Sequence, residues 1–80
     1  MDPKKTRDQR VHGFFVTFEN DLWEGIRYLS TDLQFREAKT LFDAARLRGT
    51  AEFEDDADRD WTLTYIRGKN IYVLTLRTRE

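Results

Sequence analysis

The clearest pattern along the chain is the spacing of apolar residues between positions 33 and 48. Apolar side chains recur three and four residues apart while charged side chains fill the opposite side, which is typical of an amphipathic helix. Thr31 followed by Gln34 fits a capping box at its start, and Gly49 can adopt the left-handed backbone that ends a helix. The pattern therefore predicts a helix over 33–48. Its predicted core face consists of Phe35, Ala38, Leu41, Phe42 and Ala45.

Alternating apolar and polar residues predict strands on both sides of this helix. Before it, residues 14–18 alternate and are rich in aromatic and β-branched side chains, as strands are. After it, the same alternation runs through residues 51–54, 61–67 and 71–77. We expect the acidic stretch 55–59 to connect the first two of these later strands.

The last two predicted strands can be placed in register. If Gly68 and Lys69 form a two-residue turn, Arg67 lies opposite Asn70. Counting outward then gives three pairs of large side chains on one face: Tyr65 with Tyr72, Leu63 with Leu74, and Trp61 with Leu76. A slip of one residue would scatter these side chains over both faces, so the register favours this face as the one that packs on the helix.

Residues 22–29 fit two periods. In a strand, Ile26 and Tyr28 share a face; in a helix, Leu22, Ile26 and Leu29 do. We favour the strand, because the turn-like residues 19–21 lie where a hairpin with 14–18 needs them. The predicted fold class is therefore α+β, a single amphipathic helix packed on an antiparallel sheet in the order β-β-α-β-β-β, with 22–29 open between strand and short helix.

Residues 1–10 have no large apolar side chain except Met1 and no periodic pattern. Such a segment does not recover the entropy lost when it becomes ordered. We therefore expect a flexible arm over 1–10, made basic by Lys4, Lys5, Arg7 and Arg10, ahead of one globular domain over 11–80.

The composition excludes several classes of function but does not identify one. Eighty residues supply one hydrophobic core, and a net charge of -1 gives no overall attraction to nucleic acid. The chain has no cysteine, which removes disulfides, thiolate metal sites and thiol nucleophiles. Together with the lack of an apolar leader or membrane-length run, this favours a cytoplasmic protein that does not enter a membrane.

Catalytic side chains are scarce. There is one histidine, His12, and one serine, Ser30, and nothing in their spacing brings them together, so we expect a solvated histidine and a turn or capping serine. Asp56, Asp58 and Asp60 alternate like the start of a calcium loop, but the loop glycine and the distal glutamate are missing. The sequence predicts no enzyme, no cofactor, no metal site and no small-molecule substrate.

The other face of the predicted hairpin carries Ile66, Ile71 and Val73 among threonines that include Thr64. One helix does not cover both faces of a sheet. Either the N-terminal strands fold across this second face and close a small barrel, or it is left for a protein partner or a second copy of the chain. The leading hypothesis is a non-enzymatic interaction module such as an inhibitor, regulator or accessory subunit. The alternative is a nucleic-acid-binding protein that uses Lys4, Lys5, Arg7 and Arg10.

Overall fold

The chain folds into one mixed sheet with helices between its second and third strands. The structure, a computed structural model, describes residues 6–77. The strands are β1 (Thr6–Val11), β2 (Phe14–Glu19), β3 (Thr50–Glu54), β4 (Asp60–Ile66) and β5 (Ile71–Arg77), and the helices are α1 (Trp23–Arg27) and α2 (Phe35–Arg48). A 3-10 turn over Asn20–Leu22 leads into α1, and a π-helical turn over Tyr28–Asp32 continues it. The predicted α+β class is confirmed, with the order β-β-α-α-β-β-β.

The five strands lie in the order β1-β2-β5-β4-β3. All neighbouring strands are antiparallel except β2 and β5, which run parallel. The last strand therefore lies in the centre of the sheet, while β1 and β3 form its two edges. The sheet is therefore mostly antiparallel, as the sequence predicted, with one parallel pair that the sequence did not predict.

The register of β4 and β5 agrees with the sequence prediction. Trp61 pairs with Leu76, Leu63 with Leu74, and Tyr65 with Tyr72. The turn between the strands is different: four residues follow the last pair, and Asn70 rather than Gly68 has the left-handed backbone, with φ of 56°. Asparagine tolerates this conformation because its short side chain can bond locally.

Residues 22–29 are helical, and the strand favoured for them is wrong. Ile26 and Leu29 are buried and Leu22 is half-buried against them, as the helical spacing of these three side chains requires. A helix buries the apolar side of this segment in the core, and the free energy of that burial outweighs the turn preference of residues 19–21.

The hairpin partner of β2 is β1, which includes residues expected in the flexible arm. Val11 pairs with Phe14 across a two-residue turn at His12 and Gly13, whose φ angles of 51° and 88° are those of a tight hairpin turn. Residues 6–10 are exposed, so pairing with β2 rather than burial holds them in a strand. Positions 1–5 of the expected arm lie outside the described residues.

Helix α2 agrees with its prediction over most of its length. It begins at Phe35, and the backbone N–H of Gln34 donates to Glu37 Oε1 at 3.1 Å, so the capping box lies three residues later than predicted. Gly49 ends the helix with φ of 95°, as expected. Phe35 is 51% exposed, however, and does not belong to the core face.

Both helices pack on one face of the sheet. From α2, the Phe42 ring stacks on Phe14 at 4.3 Å between centroids and meets the edge of Tyr72 at 4.8 Å. From α1, the backbone of Gly25 approaches Trp61 and Leu74. The buried apolar core comprises Val11, Val16, Phe18, Ile26, Leu29, Ala38, Phe42, Ala45, Ala51, Trp61, Leu63, Tyr72 and Leu74. No helix within residues 6–77 is long and apolar enough to span a membrane.

Candidate functional site

The sheet face opposite the helices is open. Both helices contact side chains of the core face, so within residues 6–77 no helix or strand covers the other side. Strand alternation and the pairing register assign the residues of this face. This open face consists of an apolar centre and the threonines around it. The centre comprises Phe15, Ile66, Ile71 and Val73, and the threonines are Thr17, Thr62, Thr64 and Thr75.

All four residues singled out from the sequence lie on the open face. Ile66 pairs directly with Ile71, and Thr64 pairs with Val73, so the four side chains are neighbours on β4 and β5. Each is half-buried. The N-terminal strands do not fold across them, because β1 and β2 extend the same sheet sideways.

Phe15 is the residue of this face that the sequence analysis missed. It is 48% exposed, and it precedes Val16, which pairs with Tyr72. Phe15 therefore lies on the β2 side of Ile71 and widens the apolar centre to three strands. The alternation in 14–18 showed that Phe15 and Phe14 point to opposite faces, but no local signal showed that β2 lies beside β5.

Charged and hydroxyl side chains frame the open face. At the β1 margin, the Arg10 guanidinium lies over the Phe15 ring, 4.8 Å from its centroid, and Thr17 Oγ1 donates to Asp8 Oδ1 at 2.6 Å. At the β3 margin, an Arg77 N–H donates to Glu52 Oε2 at 2.7 Å. An apolar centre with a rim of both charge signs is the usual layout of a protein-binding surface.

The basic residues of the alternative hypothesis do not form one patch. Arg7 pairs with Phe18 and Arg10 with Phe15, so the two arginines point to opposite faces of β1. An Arg7 N–H also donates to Asn20 Oδ1 at 3.4 Å. Lys4 and Lys5 lie outside the described residues. Strand alternation thus separates the only two of these cations whose positions are described.

Asp55 organises the acidic loop between β3 and β4. Its carboxylate is buried and accepts hydrogen bonds from the backbone N–H groups of Ala57 and Arg59, from Arg59 Nε and from Trp61 Nε1, at 2.8 to 3.0 Å. Burial is the largest influence on the pKa of Asp55 and raises it, but the hydrogen bonds from Trp61, Arg59 and Ala57 together lower it below its ordinary value. Asp55 is therefore ionised, and its hydrogen bonds hold together the loop that the sequence predicted only as a connection between two strands.

A cavity of about 280 Å³ lies between this loop and α1. Trp23 and Tyr28 line it together with Arg59, whose guanidinium forms ion pairs with Glu24 at 2.7 Å and Asp55 at 2.8 Å. These two ion pairs of Arg59 connect α1 with the loop. No group of three histidine, aspartate or glutamate side chains in residues 6–77 is arranged to hold a metal ion.

His12 and Ser30 both serve local structure. His12 Nε2 lies 3.0 Å from the carbonyl oxygen of Leu29, and Ser30 Oγ donates to the carbonyl oxygen of Ile26 at 2.8 Å. His12 is half-buried, whereas the sequence predicted a solvated side chain. The His12 contact connects the first hairpin to the helical segment, and the Ser30 hydrogen bond lies within that segment. Neither contact gives the side chain a partner for nucleophilic chemistry.

No protein-family model, curated protein or solved structure matches this chain. The open face must therefore be judged on its own chemistry.

Proposed function

We propose that the protein is a small non-enzymatic interaction module whose open face binds a protein partner. The observation that carries the proposal is the three-strand apolar centre of Phe15, Ile66, Ile71 and Val73 on a sheet whose helices both lie on the other side. Such a patch gains free energy when it is covered, at about 25 cal/mol for each Å² of apolar surface removed from water.

The side chains of the open face favour a flat partner. Isoleucine, valine and threonine are β-branched and stand close to the pleated surface, so together they form a nearly flat surface without a deep groove. A second β-sheet packs on such a surface at about 10 Å. The threonine hydroxyl groups supply hydrogen-bonding positions around the apolar centre.

The charges favour a protein over nucleic acid as the partner. Arg10 brings a positive charge to the β1 margin of the open face. At the β3 margin, Glu52 and Glu54 lie on the same side of the sheet, and Arg77 forms an ion pair with Glu52. Carboxylates on the same face repel a phosphate backbone. Arg7, the other described cation of the basic segment, points to the helix side.

Site-specific photocrosslinking tests the proposal. A photoreactive amino acid at Val73 in the centre of the open face is expected to crosslink a discrete protein in cells of the source organism. The matched control is the same group at Leu47, which is 81% exposed on α2, on the far side of the sheet. When the photoreactive group is placed at Thr64 instead, adding Val73→Asp should abolish the crosslink to the partner. Adding Leu47→Asp to the same labelled chain should preserve that crosslink.

Three outcomes would contradict the proposal. The first is a crosslinked species that ribonuclease or deoxyribonuclease destroys, which favours nucleic acid. The second is an identical set of products from Val73 and Leu47, which indicates nonspecific contact. The third is no product from Val73 while the folded protein is abundant.

A further inference from the structure

In the part of the chain that the structure describes, the backbone groups on the outer side of β1 have no strand beside them. Within residues 6–77, β1 pairs with β2 alone and forms one end of the sheet. Thr6 to Arg10 are exposed. An exposed edge of this kind accepts another strand through main-chain hydrogen bonds.

The hairpin turn shows which residues of β1 bond outward. A two-residue turn closes on a hydrogen-bonded pair, here Val11 and Phe14. Because bonding direction alternates along a strand, Gln9 then bonds toward β2, while Asp8 and Arg10 direct their N–H and C=O groups outward. The two outward-bonding residues in the middle of β1 thus carry opposite charges.

We infer that two copies of this chain pair antiparallel along β1, with Gln9 opposite Gln9 of the second copy. This register places Asp8 of each copy opposite Arg10 of the other, so both outward-bonding positions face an opposite charge. Opposite charges on directly facing residues stabilise an antiparallel pair, and like charges destabilise it.

The other registers that match the bonding direction lose this complementarity. A shift in one direction places Asp8 opposite Asp8, and a shift in the other places Arg10 opposite Arg10. The second edge of the sheet offers no equivalent, because β3 carries Glu52 and Glu54 and pairing with its own copy brings carboxylates together. Charge therefore selects one register on one edge.

The pairing has a consequence for the open face. Facing residues share a side of the sheet, so the two open faces continue one another across a ten-stranded sheet. Five strands spaced about 4.8 Å apart and about six residues long give each copy roughly 400 Å² of flat face. Two copies together reach the area of about 800 Å² that one partner contributes to a standard interface.

A charge-swap series measured by sedimentation equilibrium tests the inference. The wild-type chain should form a dimer, and Asp8→Arg or Arg10→Asp alone should each raise the dimer dissociation constant about tenfold, since either change turns both symmetry-related attractions into repulsions. The double variant Asp8→Arg, Arg10→Asp should return the constant to near the wild-type value. Arg36→Asp, the same charge change on an exposed position of α2, should leave it unchanged.

The double variant separates pairing from folding. Asp8→Arg also removes the hydrogen bond with Thr17, and Arg10→Asp removes the contact with Phe15, but neither loss is repaired in the double variant. Restored dimerisation therefore reports contact between copies. Hydrogen exchange supplies a second measurement, because the amides of Asp8 and Arg10 should become protected as protein concentration rises.

Several results overturn the inference. The first is a wild-type chain that stays monomeric at millimolar concentration. The second is a dimer that Val73→Asp disrupts while the charge reversals leave it intact, because that result indicates contact through the open faces. The third is assembly beyond the dimer, since it indicates that β1 pairs with β3 of a second copy. A monomeric chain or a larger assembly through β1 leaves photocrosslinking from Val73 unaffected, and open-face dimerisation would be recognised because the product crosslinked from Val73 would be a second copy of the chain. The inference and the proposed function can therefore fail separately.

Discussion

The α-carbon of Gly25 faces the indole ring of Trp61 so closely that a methyl group on it would lie 2.8 Å from two ring carbons. The same methyl group would lie 2.8 Å from Leu74 Cδ2. Trp61 and Leu74 are both buried, so neither side chain has free space to move into. The absence of a side chain at position 25 is therefore what lets α1 lie directly on β4 and β5.

Gly25→Ala should destabilise the protein, although the same change usually favours a helix by about 1 kcal/mol. Forcing a methyl group into a packed core costs about 1 to 3 kcal/mol, and that cost should dominate here. Urea unfolding monitored by circular dichroism measures the difference.

The matched control is Gly68→Ala, because Gly68 lies in the β4–β5 turn with no atom within 4 Å of an added methyl group. We expect its free energy of unfolding to stay within about 0.5 kcal/mol of the wild-type value. If Gly25→Ala were as stable as Gly68→Ala, α1 would not lie as close to Trp61 as the structure has it.

Gly25 also illustrates why part of the fold could not be predicted. A glycine weakens a helix and a strand alike, so Gly25 does not distinguish the two structures by itself. Its role in packing depends on Trp61, which lies far along the chain. By contrast, the pairing of Tyr65 with Tyr72 depends on a short turn and could be counted from the sequence. The register of one hairpin could thus be predicted from residues close together in the chain, whereas the structure of residues 22–29 depended on contacts with distant strands.

The same distinction applies to the candidate site. Ile66, Ile71 and Val73 belong to one hairpin, so their common face followed from its register. Phe15 joins them only through the parallel pairing of β2 with β5, which brings together strands separated by two helices and two other strands. The strand at Thr6 to Arg10 was missed because its residues are exposed and pair by backbone hydrogen bonds, which leave no apolar pattern.

Asp55→Asn should reduce stability at neutral pH and change how stability depends on acid. The neutral amide keeps the size of the side chain but offers one acceptor oxygen where the carboxylate offers two, and its NH₂ group faces donors from Arg59 and Trp61. We expect a loss of about 2 kcal/mol, the range for buried hydrogen bonds to a charged group.

The sign of the pH effect follows from the lowered pKa of Asp55 in the folded protein. Its ionised form is favoured by folding, so its contribution is fully present above the ordinary aspartate pKa of about 3.9 and is lost as the pH falls through the lower folded value. The gap between wild type and Asp55→Asn in urea unfolding should therefore be constant near neutrality and should narrow below about pH 4.

Asp58→Asn is the control for this series, since Asp58 is exposed in the same loop with a left-handed backbone that asparagine also tolerates. It should unfold with the wild-type free energy across the pH range. A wild-type to Asp55→Asn gap that persists unchanged at pH 2 would show that the charge of Asp55 contributes nothing.

The two faces of the sheet should respond differently to one isosteric substitution. Val16 is fully buried on the core face of β2, whereas Val73 is half-buried on the open face of β5. Val16→Thr places a hydroxyl group among apolar side chains and should cost about 1 to 3 kcal/mol of unfolding free energy. Val73→Thr keeps its hydroxyl within reach of water and should cost less than about 0.5 kcal/mol. Equal losses in urea unfolding at protein concentrations that keep the chain monomeric would mean that Val73 is covered by this chain itself, and the face proposed to bind a partner would then be part of its own core.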